Sequence, residues 1–285
     1  MKPTIYSMVE IAADYQKYCQ LTDDINLNLG DWLPSLKRIC RPLVPGELAF
    51  FMAGTGVGKS MILQNIAMST QHPSLFFELE LPKTLMFERF MAAAHRKSCR
   101  DVEASFKGGE YLSVSQLANI FVCDASRLSA KAMYELIMKE SEAKIGTRPV
   151  VVFVDYIGLM TSGGKSRYER VSIAAEDLKV LAKECNAIVI AATQVARPGE
   201  DDNDGGALDI HSAKDSGSIE NSCGLLIGAW RDKLNPDGIM WLKILKDTKG
   251  KAGDKIRCCV DGSKMLITEA AYTDNAPDRT DLYDE

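Results

Sequence analysis

The sequence contains no Cys-x-x-Cys pair and only three histidines, so its eight cysteines (positions 19, 40, 99, 123, 185, 223, 258 and 259) lack the company of a zinc set. Several stand in apolar surroundings, as in Val122-Cys123 and Cys258-Cys259-Val260, where a reduced thiol behaves as a small buried hydrophobe. That usage points to reduced, structural cysteines and a cytoplasmic redox environment. No signal peptide and no apolar run of membrane length is present, so no membrane partner is expected. Positive charge is not in excess either. A net charge of -5 excludes a bulk electrostatic grip on nucleic acid or anionic lipid, and any such contact must be local. What the chain has in quantity is apolar surface: 46% of its 285 residues are hydrophobic, enough for one large α/β domain or two smaller ones.

The most informative stretch is Phe50-Phe51-Met52-Ala53-Gly54-Thr55-Gly56-Val57-Gly58-Lys59-Ser60-Met61. An apolar strand from Glu47 to Met52 runs into a glycine-rich turn, and a helix follows with Met61, Ile62, Ile66 and Ala67 on one face. This is the pattern of a phosphate-binding loop, Ala53 to Ser60, with Ala53 where the strict form has glycine. Glycines let successive backbone N–H groups turn toward nucleotide phosphates, Lys59 supplies charge for the terminal phosphates, and the Ser60 hydroxyl can ligate Mg²⁺. The helix adds its positive end to the same anion.

Downstream strands end in polar groups at places where a parallel sheet presents ligands. Residues 73–80 read as a strand that delivers Glu80 at its end; Glu78, two residues back, shares that face, and the end position favours Glu80. Val150 to Val154 is a continuous apolar run closed by Asp155, an acid placed to hold Mg²⁺ with Ser60. A further buried strand from Ala187 ends at Gln194, whose amide could sense a terminal phosphate.

The remaining chain reads in order. Residues 1–25 carry an amphipathic helix over about 5 to 20, with Met8, Ile11, Tyr15 and Tyr18 on one stripe and a break at Leu21-Thr22-Asp23-Asp24. Such a helix folds back on its own domain or docks on a neighbouring subunit. Within 26–272, Leu85 to Arg96 is helical, Ser113 to Ile120 is a candidate helix, Ile120 to Asp124 a short buried strand, and Ser129 starts another helix. Gly163 to Arg167 is a basic loop before a long helix to Glu184, and Glu200 to Gly206 an acidic, mobile loop. Strands at Gly224 to Trp230 and Ile239 to Leu245 precede a closing hairpin, Ile256 to Val260 and Met265 to Ile267, and residues 273–285 are a flexible acidic tail.

Taken together, these segments closely resemble the C-terminal motor domain of the DnaB-like replicative helicases, RecA-fold ATPases that assemble as hexameric rings. The resemblance spans nearly the whole chain and rests on the phosphate loop, Glu78-Leu79-Glu80-Leu81-Pro82, Val154 to Met160, Arg167-Tyr168-Glu169-Arg170-Val171-Ser172, Ala192-Thr193-Gln194 and Ser216-Gly217-Ser218-Ile219-Glu220. It implies a RecA-like P-loop NTPase fold with ATP and Mg²⁺ as cofactors. It further implies that Glu80 polarises the attacking water, Asp155 supports the metal, and Gln194 couples hydrolysis to movement of single-stranded DNA. The helix at 5 to 20 matches the family's linker helix, which packs on the adjacent subunit. A loader or primase is an expected partner, although the separate helical N-terminal domain of cellular members has no counterpart in these residues.

Two departures stand out. The family's arginine-finger position falls on Thr248, which cannot insert positive charge; Lys246 matches a neighbouring family lysine and Lys249 is a second candidate. The loop at Glu200 to Asp204 is acidic where the family is more basic. Lys214, Ser216 and Gly217 resemble the loop that tracks DNA, with Lys165 and Arg167 as secondary candidates for salt-sensitive backbone contacts. The expected activity is an ATP-driven 5′ to 3′ translocase and helicase. A recombination-mediator or accessory ATPase that binds DNA without unwinding is the alternative, and a catalytically weak assembly module a third. A small-molecule kinase is disfavoured because no arginine-rich lid follows the core strands.

Overall fold

The computed structural model describes residues 5–195, 208, 217–232, 235 and 238–271. The acidic loop at 200–206, Lys214, Ser216 and the tail at 273–285 lie outside the described residues.

Helix α1 (Met8–Asp24) opens with a reciprocal cap in which Ser7 Oγ accepts the Glu10 N–H and the Glu10 carboxylate accepts the Ser7 N–H. It runs through Leu21 to Asp24, where a break was expected: no glycine or proline stands there to end it, and Thr and Asp only weaken a helix. After the short α2 (Leu36–Ile39), elements alternate as an α/β sheet requires: β1 (Leu48–Ala53), α3 (Lys59–Ser69), β2 (Ser74–Glu78), α4 (Lys83–His95), α5 (Cys99–Lys107) and β3 (Ile120–Asp124). Then come α6 (Ala130–Glu135), which continues through a π-helical turn into α7 (Ser141–Ile145), β4 (Val151–Asp155), α8 (Arg167–Cys185) and β5 (Ile188–Gln194). The chain closes with α9 (Gly217–Ser222), β6 (Leu225–Arg231), β7 (Ile239–Asp247), β8 (Lys255–Asp261) and β9 (Leu266–Glu269).

The strands form one sheet in the order β3-β2-β4-β5-β1-β6-β7-β8-β9, parallel from β3 to β6 and antiparallel beyond. Successive side chains on a strand face opposite ways, so the apolar runs fill two cores. Phe51, Phe76 and Phe153 meet Ile62 and Ile66 of α3 on one face, while Phe50, Met52, Phe77 and Val152 meet Leu178 and Leu181 of α8 on the other. Burial of each such side chain contributes roughly 1.5–3 kcal/mol, which holds the register of the central strands.

Three local expectations are corrected. Ser113 to Ile120 yields only a 3₁₀ turn at Ser115–Leu117, because the Ser113 hydroxyl accepts the Ser115 N–H and competes with helical bonding. The helix lies earlier, in α5, started by a Ser98–Asp101 capping box. Strand β3 is at the sheet edge, paired among the described residues only with β2, so Val122 is 41% exposed rather than buried. All the cysteines are free; Cys40, Cys223 and Cys258 are buried and held near about 12 by that burial, whereas Cys19 and Cys259 are exposed. Among the described residues no helix is long and apolar enough to cross a membrane.

The C-terminal strands are tied to α3 by one amide. Buried Asn65 donates to the carbonyls of Met61 (2.8 Å) and Met265 (2.9 Å), and its Oδ1 accepts the Ile267 N–H (3.1 Å).

Candidate active site

The carboxyl ends of β1, β2, β4, β5 and β6 share one edge of the sheet, and the register decides which residues are neighbours there. Ala53 is level with Gln194 on one side and Ala229 on the other, and Glu78 is level with Asp155. This is the edge at which wound α/β sheets bind ligands.

Ala53 ends β1 fully buried, Gly54 to Val57 make the turn, and Gly58 caps α3. Gly56 and Gly58 have φ of +77° and +118°, so the loop needs glycine at both positions. Lys59 and Ser60 open α3, whose first N–H groups have no helical acceptor and face an incoming anion. Lys59 Nζ donates to the Gly54 carbonyl at 3.2 Å and lies 5.9 Å from the centre of the Tyr156 ring. Burial pulls the Lys59 ammonium below its ordinary range, opposed by the charges of Asp155 and Glu80.

Asp155 is completely buried, and neither carboxylate oxygen has a hydrogen-bond partner among the described residues. Burial pushes its carboxyl up to about 6; the Ser60 hydroxyl, close by but outside hydrogen-bond geometry, draws it back, Glu80 adds to the rise, and Lys59 opposes it. A buried carboxylate with two orphaned oxygens beside a hydroxyl has the donor chemistry that could hold a hard divalent cation. Among the described residues no group of three or more His, Cys, Asp or Glu side chains could hold a metal alone. Mg²⁺ suits that scarcity, since it takes one or two protein ligands and completes its shell with phosphate and water.

Strand β2 ends at Glu78, two residues before the expected end at Glu80. Glu78 is buried, and its Oε1 accepts the N–H groups of Glu80 (3.0 Å) and Leu81 (2.8 Å). Burial first, then the Asp155 charge, push the Glu78 carboxyl up to about 7. Glu80 follows in the bend, exposed, with its charge felt by Lys59, Asp155 and Glu78. Gln194 Nε2 donates to Thr55 Oγ1 at 2.5 Å. Lys59, Ser60, Glu80, Asp155 and Gln194 thus gather around the loop.

The sequence of residues 32–259 matches the model of the DnaB-like helicase C terminal domain family. The chain belongs to this family. It is 24% identical over 230 residues to the replicative DNA helicase DnaB of Treponema pallidum, covering 76% of this chain and 50% of that protein. To the DnaB of Buchnera aphidicola from Schizaphis graminum it is 27% identical, covering 74% and 49% respectively. The chain therefore spans about half the length of the curated relatives it matches. Its fold is that of a solved ATPase domain, with a TM-score of 0.78 at 19% identity over 94% of this chain and 100% of that one. A DnaB-like replicative helicase solved with attention to its interactions with primase gives a TM-score of 0.73 at 19% identity, covering 84% of this chain and 62% of that one.

Against this family background, Lys246 and Lys249 do not join their own chain's phosphate loop. β7 runs antiparallel to β6, and across a bulge Lys246 pairs with Leu226, which is level with Phe50, three residues back from Ala53 toward the opposite edge and on the order of 10 Å away at about 3.3 Å per residue. There Lys246 Nζ donates to the Glu220 carbonyl and Lys249 pairs with Glu47 at 2.7 Å. Lys165 is exposed in the loop before α8, Arg167 is exposed as the first residue of α8, and Gly217 is exposed at the start of α9. One site residue was not anticipated: Arg231, the last residue of β6, donates from Nε to the Val57 carbonyl at 2.9 Å and braces the loop. Its only sequence signal is an arginine closing an apolar strand.

Proposed function

We propose that the chain is the motor of an ATP-dependent DNA helicase, acting as a ring on single-stranded DNA in replication. The observation that carries the hydrolytic half of this reading is the buried, unpartnered Asp155 carboxylate facing the start of α3. Asp155 and Ser60 would hold Mg²⁺, which when bound would supply neutralising charge for the nucleotide phosphates. Backbone groups from Gly54 to Ser60 cradle those phosphates, Lys59 moves from the Gly54 carbonyl to the terminal phosphates, and Glu80 orients the attacking water. Gln194 meets the terminal phosphate and transmits its loss along β5.

The ring half rests on two features. Helix α1 leaves Met8, Val9 and Tyr15 exposed (78%, 81% and 61%), an apolar surface suited to an adjacent subunit. Lys246 and Lys249 stand at the edge opposite their own loop, a position from which they would supply positive charge to another chain's nucleotide. Lys214, Ser216 and Gly217, with Lys165 and Arg167, would contact the DNA backbone, and a loader or primase is the further partner of this reading.

ATPase assays with and without single-stranded DNA at low salt test the proposal, together with unwinding of a forked duplex. DNA-stimulated turnover with unwinding supports it. Stimulation without unwinding favours the accessory or recombination-mediator ATPase, and no stimulation in an assembled ring counts against both.

A further inference from the structure

Glu78 and Asp155 are the last residues of neighbouring parallel strands and stand at matched register, so their side chains share a face about 4.8 Å apart. Which face is settled two residues earlier on each strand. Phe76 and Phe153 stack at 5.4 Å in the core that contains Ile62 and Ile66 of α3. Glu78 and Asp155 therefore point to the α3 side of the sheet, where Lys59 and Ser60 begin that helix.

Both carboxyl groups are 0% exposed. Glu78 Oε1 is occupied by the N–H groups of Glu80 and Leu81, but its Oε2 has no partner among the described residues, like both oxygens of Asp155. Three orphaned carboxylate oxygens thus lie buried side by side. Lys59 offers a single positive charge, and its Nζ is directed at the Gly54 carbonyl. Two adjacent buried acids need more positive charge than one lysine supplies, and a divalent cation supplies it.

We propose that Glu78 is a second acidic support of the divalent cation at Asp155, and that the same carboxyl sets the position of Glu80 through the turn it holds. Glu78 is a positioning residue. Oε2 acts on the cation through its water shell or through Asp155, while Oε1 fixes the backbone from which Glu80 reaches the reacting phosphate. Metal occupancy and placement of the water-orienting acid are then linked through one side chain. This inference rests on the hydrolytic site proposed above.

A glutamine at this position separates the roles, because its carboxamide oxygen can still accept both turn N–H groups while its charge is gone. The measurement is Mn²⁺ affinity of the full chain in the presence of ADP, by electron paramagnetic resonance, alongside ADP affinity without metal and the melting temperature of the metal-free protein. For Glu78→Gln we expect Mn²⁺ affinity about tenfold weaker, metal-free ADP affinity unchanged and a higher metal-free melting temperature, since a buried like charge has been removed. Glu78→Asp keeps the charge and loses the turn, so it should hold Mn²⁺ more tightly than Glu78→Gln while turnover falls. Wild-type Mn²⁺ affinity in Glu78→Gln, or equal losses in the Gln and Asp variants, would overturn the inference and leave Glu78 as a turn acceptor only. Asp155→Asn distinguishes the underlying reading: wild-type Mn²⁺ affinity in that variant removes the metal site altogether.

Discussion

Gln194 donates its side-chain amide to the Thr55 hydroxyl at 2.5 Å and so joins the last residue of β5 to the phosphate loop. In the function proposed above, a nucleotide would compete with Thr55 for the same amide. Gln194→Ala should therefore leave nucleotide affinity within a few-fold of wild type and abolish most stimulation of ATPase by single-stranded DNA. Thr55→Val, which removes the resting partner alone, should retain stimulation. Equal loss in both variants would show that the contact serves loop structure rather than coupling.

The buried acid pair makes stability fall with rising pH. Glu78 is held up to about 7 and Asp155 up to about 6, against ordinary values of 4.5 and 3.8. Between about pH 4 and about pH 7 the folded chain keeps protons that the unfolded chain has released, so the pair's contribution favours folding at the acid end and is lost toward neutrality. Melting in metal-free buffer should show that decline. Mg²⁺ with ADP, by favouring the ionised carboxylates, should flatten it. A metal-free melting temperature that climbs through this window would contradict the assignment.

Helix α1 carries apolar side chains that its own domain does not cover. Val9 is 81% exposed and Met8 78%, so replacing both with aspartate should change the stability of the isolated chain by no more than about 0.5 kcal/mol. In the proposed ring the same change places charge in an interface. Native mass spectrometry should then record smaller assemblies, and an unaltered mass distribution would remove α1 from subunit packing.

Lys249 and Glu47 form an ion pair with one-third and one-fifth of their side chains exposed, a contact worth at most about 1 kcal/mol to the fold. If Lys249 serves a neighbour's nucleotide, Lys249→Ala should lower ATPase of the assembled protein by roughly a hundredfold with little effect on melting. Glu47→Gln, which releases the lysine, should not lower it. Lys246→Ala in the same assay shows which of the two lysines acts.

Asn65 satisfies three backbone groups between α3 and the last strand. Asn65→Ala removes the side-chain partner of the Ile267 N–H and of the Met265 carbonyl and should cost about 1–3 kcal/mol, seen as a lower midpoint in urea. Nucleotide affinity should fall less than stability, because the amide lies away from the phosphate loop.

Much of the fold was readable because its determinants are local. The apolar runs at β1, β4 and β5, the glycines before Lys59, and the capping serine at Ser129 each act within a few residues, and those elements lie where the pattern places them. The Ser98–Asp101 capping box was equally local and marks α5, whereas the Ser113 hydroxyl accepts the Ser115 N–H and meets the Ser115 hydroxyl instead of supporting a helix.

The positions of the glycine-rich loop, Asp155 and Gln194 at strand ends were legible for the same reason: each follows or closes an apolar strand. By itself the sequence determined that β1 leads into a glycine-rich turn followed by a helix, since glycine conformations and strand burial depend on neighbouring residues. Only the tertiary structure decided which groups face one another there. Strand β2 stops at Glu78, whose carboxyl accepts the Glu80 and Leu81 N–H groups, and the cross-strand register sets that strand end level with the buried Asp155. Likewise, the antiparallel return of β7 sends Lys246 and Lys249 to the far edge, and Arg231 meets Val57 across 174 residues of chain. Such pairings follow from the order of strands in the sheet, which no local pattern encodes.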